Sequence, residues 1–186
     1  MRAPRAVPVL VALALASCSR PATGPGGSAT PGPAELARPL PSPVPDVVAR
    51  VDGRPIHIQQ ILALAKAELD RISVAERDAK KPEALRRALE KYVDRELLLQ
   101  EAIARGVEAD SREVEWAFDQ MRREHRDEQA WAEFLAGQGL DERALRGELR
   151  AQLTVEALLD GERRAGRDPD ALLARLRTSA RIERLL

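Results

Sequence analysis

From residue 82 to residue 161 the apolar side chains recur at spacings of three, four and seven, interrupted only by helix-stop and helix-start signals. Leu85, Leu89, Tyr92, Leu99 and Ile103 fall on one side of a first helix. Val114, Phe118 and Met121 line a second, and Leu145, Leu149, Leu153 and Leu159 a later one. This is the 3.6-residue period of a helix, not the alternation of a strand. A chain patterned this way buries its apolar surface by packing helices together. Aromatic residues make up only 3% of the chain, and Leu, Ala and Val supply most of its apolar content. Such a core suits helices better than a β-sandwich.

The punctuation agrees with the period. Pro82 suits a first helical position, where its missing N–H costs nothing. Gly106 after Arg105 reads as a helix stop, with the cation placed at the negative end of the dipole. Asp110 followed by Glu113 reads as a capping box, and Asp141 and Gly161 as the start and end of the later helix. The pairs Glu83/Arg87, Glu101/Arg105 and Glu142/Arg146 place an acid four residues before a base, worth about 0.2–0.5 kcal/mol each. Upstream, Ile58, Ile61, Leu62, Ala65, Leu69 and Ile72 form another helical stripe. Residues 78–81 read as a charged, solvated connection, with substrate contact as the alternative.

The two ends of this region are β-prone. Residues 47–51 (VVARV) lead into Asp52-Gly53, a hairpin turn dipeptide, and then Arg54-Pro55-Ile56. Pro55 restricts the second arm to a sheet edge. At the other end, Asp168-Pro169-Asp170 starts a short helix, and residues 180–185 alternate like a strand with one apolar face. Isolated strands need partners, so Ile182 and Leu185 are expected beside residues 47–51. The expected fold class is mainly α, closed by a small β element from both ends of a domain spanning residues 46–186.

Residues 1–17 read as a lipoprotein signal peptide. Arg2 and Arg5 are its basic start and residues 7–16 a short apolar run, below the ~20 residues of an ordinary span. It ends Leu15-Ala16-Ser17-Cys18, similar to a bacterial lipobox, and Cys18 is the sole cysteine. The alternative is an ordinary residue at the end of a signal peptide or uncleaved anchor. One acyl chain holds a membrane marginally, whereas two or more anchor stably. Residues 18–45 then form a tether rich in proline and glycine, expected to stay disordered, with its later half stiff and polyproline-like.

Two segments carry a family resemblance: LEKYVDRELLLQEAIARGVEADSREVEWAF (residues 89–118) and FLAGQGLDERALRGELRAQLTVEALL (residues 134–159). They resemble the chaperone region of SurA-type and PrsA-type extracytoplasmic foldases in the order of their elements. ARVDGRPIHI fits the place where that family enters its first helix, with His57 where a Thr or Ser cap is usual. The tail resembles the helix and strand that return to the N-terminal segment. The resemblance implies a SurA-like helical chaperone domain. It also marks a departure: residues 161–168 are too few to hold the parvulin-type isomerase module found there in the family. That argues against enzyme activity.

The residues offer little chemistry. The chain has 30 basic and 30 acidic residues and a formal net charge of +0, against general nucleic-acid binding. His57 and His125 have no His or Cys at metal-ligand spacing, so neither a metal nor a cofactor is expected. Glu96 lies near an apolar stripe and is read as capping a neighbouring element or pairing with an arginine at the core rim, rather than as an acid–base catalyst. Phe118 and Trp131 fit core stripes, with Phe134 beside them. Trp116 does not; it lies opposite the Val114–Phe118–Met121 face, as a second packing contact or as a contact for partners.

Two functions follow. The first is an ATP-independent holdase for unfolded exported or outer-membrane polypeptides, extracytoplasmic and lipid-anchored through Cys18, on the outer membrane in a double-membraned cell. The second is a structural lipoprotein serving one dedicated assembly partner. A degenerate isomerase is the weakest third.

Overall fold

The computed structural model describes residues 31–186, so Cys18, the signal sequence and most of the proposed tether lie outside the described residues. The front and the tail of the described chain meet in one sheet. Strands β1 (Val47–Val51) and β2 (Arg54–His57) pair antiparallel, and β3 (Ile182–Arg184) pairs antiparallel with the other edge of β1. The hairpin turn needs positive φ at both positions, which Asp52 (49°) and Gly53 (83°) adopt. Asp52 also fastens the tail: its Oδ1 accepts the Arg181 N–H at 2.8 Å, and its own N–H donates to the Arg181 carbonyl at 2.9 Å. Val51 stands opposite Ile182, and the Leu185 N–H donates to the Val48 carbonyl at 2.9 Å. The mainly helical fold closed by a small β element is therefore observed.

The helices are α1 (Pro33–Leu36), α2 (Ile58–Leu69), α3 (Val74–Ala104), α4 (Ser111–Arg123), α5 (Glu128–Gln138), α6 (Glu142–Arg164) and α7 (Pro169–Ser179). Asp110, Asp127 and Asp168 cap α4, α5 and α7 through their side chains, and Asp141 accepts the Ala144 N–H at 2.6 Å before α6. Two expected boundaries are corrected. Pro82 lies inside α3, so residues 78–81 are helical rather than a loop. The start signal sits further upstream: Ser73 donates to Glu76 Oε2 at 2.5 Å, the pairing of an S-x-x-E start. A proline removes one helical hydrogen bond but does not cancel a helix nucleated before it and packed after it. Gly161 does not end α6 either. The stop is at Gly166, with φ +69°, where the Arg167 N–H reaches the Glu162 carbonyl at 2.9 Å and the Gly166 N–H that of Arg163 at 3.0 Å. An interior glycine costs about 1 kcal/mol against alanine, and α6 continues through it to the Gly166 stop.

The chain forms two compact units. Residues 102–160 make the described part of one. Its core gathers Val114, Ala117, Phe118 and Met121 from α4, Trp131 and Leu135 from α5, and Leu145 and Leu149 from α6. Phe118 meets Trp131 edge to face at 5.5 Å between ring centroids, and Phe134 stacks on Trp131 at 5.6 Å. Buried Thr154 accepts the Ala109 N–H at 3.1 Å.

Residues 31–101 and 161–186 make the described part of the other unit. The sheet gives Val48, Ala49, Val51 and Ile56 to its core, α2 gives Ile61 and Ala65, and α3 gives Leu85, Ala88, Leu89, Val93 and Leu97. Beside this apolar layer lies a cluster of ions. Arg184 grips buried Glu90 with two hydrogen bonds, at 2.6 and 3.1 Å. Arg177 reaches Glu90 at 3.0 Å and Asp94 at 2.5 Å. Desolvation pushes the Asp94 carboxyl above the ordinary carboxylate range, against the opposing pull of Arg177.

The described end of the expected tether differs from a free spacer. Residues 33–36 form α1, and Leu40 packs against the core of this unit. Composition reports how little apolar surface such a segment can bury. It does not report hydrogen bonds to its main chain, and those hold residues 36–39 here.

Candidate functional site

The α4 sequence sorts its side chains by face. Asp110 caps the start by accepting the Arg112 N–H at 2.8 Å, and Val114, Ala117, Phe118 and Met121 then turn into the core. That periodicity leaves Trp116 outside, with 37% of its surface exposed. The positions three or four residues away on the helix are Arg112, Glu113, Asp119 and Gln120. Trp116 is thus a large apolar side chain on a polar helix face, a form that gains by desolvation against a partner.

A second apolar side chain in this unit is more open. Ile103, in the last turn of α3, is 59% exposed. The sequence pattern places it on the core stripe with Leu85 and Leu89, and the structure does not. The buried positions instead drift around the helix through Leu85, Leu89, Val93 and Leu97 to Leu98 and Ala102, and Ile103 is carried outside. The same correction applies on α2, where Ile61 and Ala65 are buried but Leu62 is exposed.

Electrostatics hold the core of this unit in place. Trp131 donates its indole N–H to Glu142 at 3.0 Å, and Arg146 pairs with Glu142 at 3.2 Å and with Glu115 at 3.1 Å. The Arg146 guanidinium lies over the Phe118 ring at 3.5 Å. The Trp131 hydrogen bond first, and then Arg146, hold the Glu142 carboxyl below its ordinary range. His125 rests against Phe134 at 4.6 Å and Trp131 at 5.4 Å, as part of the aromatic layer.

The other residues singled out in the sequence have structural partners. Glu96 accepts from Gln100 at 2.8 Å and pairs with Arg54 at 3.5 Å, which is rim pairing rather than a catalytic arrangement. His57 Nδ1 lies 2.7 Å from Asp46, and its main-chain N–H donates to Gln60 at 2.7 Å, so the start of α2 is capped from within the helix. Among the described residues, no three His, Cys, Asp or Glu side chains gather to hold a metal ion. No described helix is long and apolar enough to cross a membrane. A connection of residues 165–168 joins α6 to α7, with no module between them.

Two features were missed in the sequence although a signal was present. Arg86 stands three residues before Leu89 and seven before Val93, and Glu90 three before Val93, so both fall on the buried stripe of α3. A charge at a core position predicts a buried partner. Glu90 finds Arg177 and Arg184, while Arg86 finds main-chain carbonyls.

A family model described as SurA-like N-terminal domain matches residues 9–159. No curated protein and no solved structure matches the chain.

Proposed function

We propose a function from one premise: the chain belongs to the SurA-like N-terminal domain family, which relates it to extracytoplasmic chaperones. The chain is an ATP-independent holdase. It binds extended, apolar segments of unfolded exported polypeptides weakly and releases them as they fold. Exposed Trp116, on a helix whose other large apolar residues are buried, is the observation that carries this reading beyond the family. Holding a client requires desolvatable surface and no reacting group.

Cys18 would bear the lipid that tethers this activity to the extracytoplasmic face of a membrane, the outer one in a double-membraned cell. No prolyl isomerase activity is expected, because α6 runs into α7 through residues 165–168 alone.

The test is suppression of aggregation across several unrelated unfolded clients, alongside acceleration of cis–trans exchange in a proline peptide. A holdase protects most of the clients and leaves the exchange rate at the blank. Protection of one client alone would turn the reading toward a dedicated assembly lipoprotein, and protection of none would end it.

A further inference from the structure

Arg86 is an unusual buried cation. Only 7% of it is exposed, and among the described residues no carboxylate forms an ion pair with it. Its Nη1 donates to the carbonyls of Leu36 (3.0 Å) and Arg38, and its Nη2 to that of Pro39 (3.0 Å). Burial, and then the nearby Arg38 charge, pull its pKa down. Taking a guanidinium out of water is costly unless its donors are satisfied, and here three main-chain carbonyls accept from it. The side chains of Ala37, Arg38 and Pro39 remain exposed, while Leu40 packs against the core cluster. The grip therefore reads the carbonyls of a helix end and of the turn after it, with one apolar side chain beside them.

We propose that Arg86 and the seat of Leu40 form a peptide site that reads main chain, filled here by the chain's own residues 36–40 and taken over by segments of unfolded polypeptides that can adopt the same turn. The proposal deepens the holdase reading and rests on it. Carbonyls are common to every sequence, so such a site tolerates varied clients that can adopt this turn with a leucine-like side chain beside it. A plug on the same chain competes at a local concentration in the millimolar range. Client affinity falls by the fraction of time that the site is closed, which keeps capture weak and reversible. Main-chain bonds and one leucine are few enough contacts for the plug to leave without unfolding the sheet.

The probe is a fluorescent synthetic peptide with the sequence of residues 33–45, titrated against the full chain. Leu40→Asp should unseat the plug and raise peptide affinity about tenfold. Arg86→Met in that background should abolish the gain. In the unsubstituted chain, excess peptide should speed amide exchange at Leu36 and Ala37, whose N–H groups are bonded to the Gly32 and Pro33 carbonyls. This measurement does not depend on any variant folding. Equal affinity for the wild type and Leu40→Asp, a gain that survives Arg86→Met, or unchanged exchange would each overturn the site. Client protection separates the two ideas. Clients protected by a chain whose peptide binding ignores Arg86 leave the holdase and remove this site. Peptide binding that depends on Arg86, with no client protected, keeps the site and removes the holdase.

Discussion

The two units solve the same problem by opposite means. Residues 102–160 build a core from consecutive helices, and its key contacts are aromatic: Phe118, Trp131, Phe134 and His125 within one short stretch. The other unit is closed by partners far apart in sequence. Glu90 meets Arg184 across 94 residues, Glu90 meets Arg177 across 87, and β1 pairs with β3. The first unit keeps its ion pairs at the rim, around Glu142, and the second buries them around Glu90. Local closure favours fast formation and tolerance, whereas distant closure makes each late contact conditional on the rest.

The comparison breaks most sharply at Glu90. Glu90→Ala leaves Arg177 and Arg184 facing each other without their shared carboxylate. Removing one member of a buried pair costs about 3–5 kcal/mol. Chemical denaturation followed by segment-resolved hydrogen exchange should show the loss in residues 47–57 and 169–184. Retained protection there would mean that the cluster does not close the unit.

A smaller effect is expected at Thr154. Thr154→Val keeps the shape but removes the acceptor of the Ala109 N–H, which should cost about 1–3 kcal/mol. The loss should be read in residues 107–118 before α4 opens. Loss no greater than that at an exposed site would mean that water replaces the hydroxyl.

Legibility in the sequence follows the same division. Local signals were readable: the Asp52-Gly53 turn, the Asp110, Asp141 and Asp168 caps, and the alternating tail. The tail's partner was also readable, because only one other β-prone run exists in the helical region. Pro82 and Gly161 misled because each is a strong local breaker outweighed by packing on both sides. The ion cluster was not legible as a cluster. A charge on an apolar stripe announces a buried partner, but nothing local says which arginine, scores of residues away, will supply it. The hold on residues 36–39 was hidden further, since its acceptors are carbonyls that every sequence has.

Acid should divide the units by sign. Glu142 has its pKa lowered in the folded state, so its contribution is present above the ordinary carboxyl range and lost as pH falls through the folded value. Asp94 has its pKa raised, so the folded form binds that proton more readily, and its contribution to stability falls as pH rises through the window. On acidification the stabilisation from Glu142 is lost while that from Asp94 grows. Glu142→Gln should flatten the acid dependence of protection in residues 111–149, and Asp94→Asn should change that of residues 85–97 in the opposite sense. Two shifts of the same sign would refute the contrast.

The smallest effect on stability is expected at Trp116, and it carries the most functional information. A Trp in the core costs about 3–5 kcal/mol when cut to alanine, as Trp131 should. Trp116 is more than a third exposed, among polar neighbours on its helix, so Trp116→Ala should stay within about 0.5 kcal/mol of the wild type. A client that desolvates the indole would lose about 2 kcal/mol of binding on the same truncation. The two quantities therefore separate in one variant. An unchanged denaturation midpoint with a clear loss of client protection makes Trp116 a contact of the holdase. A lowered midpoint, with protection lost only as the fold is lost, makes it a packing residue. A variant that is both stable and fully protective removes Trp116 from the surface that holds clients and makes exposed Ile103, in the same unit, the next position to truncate.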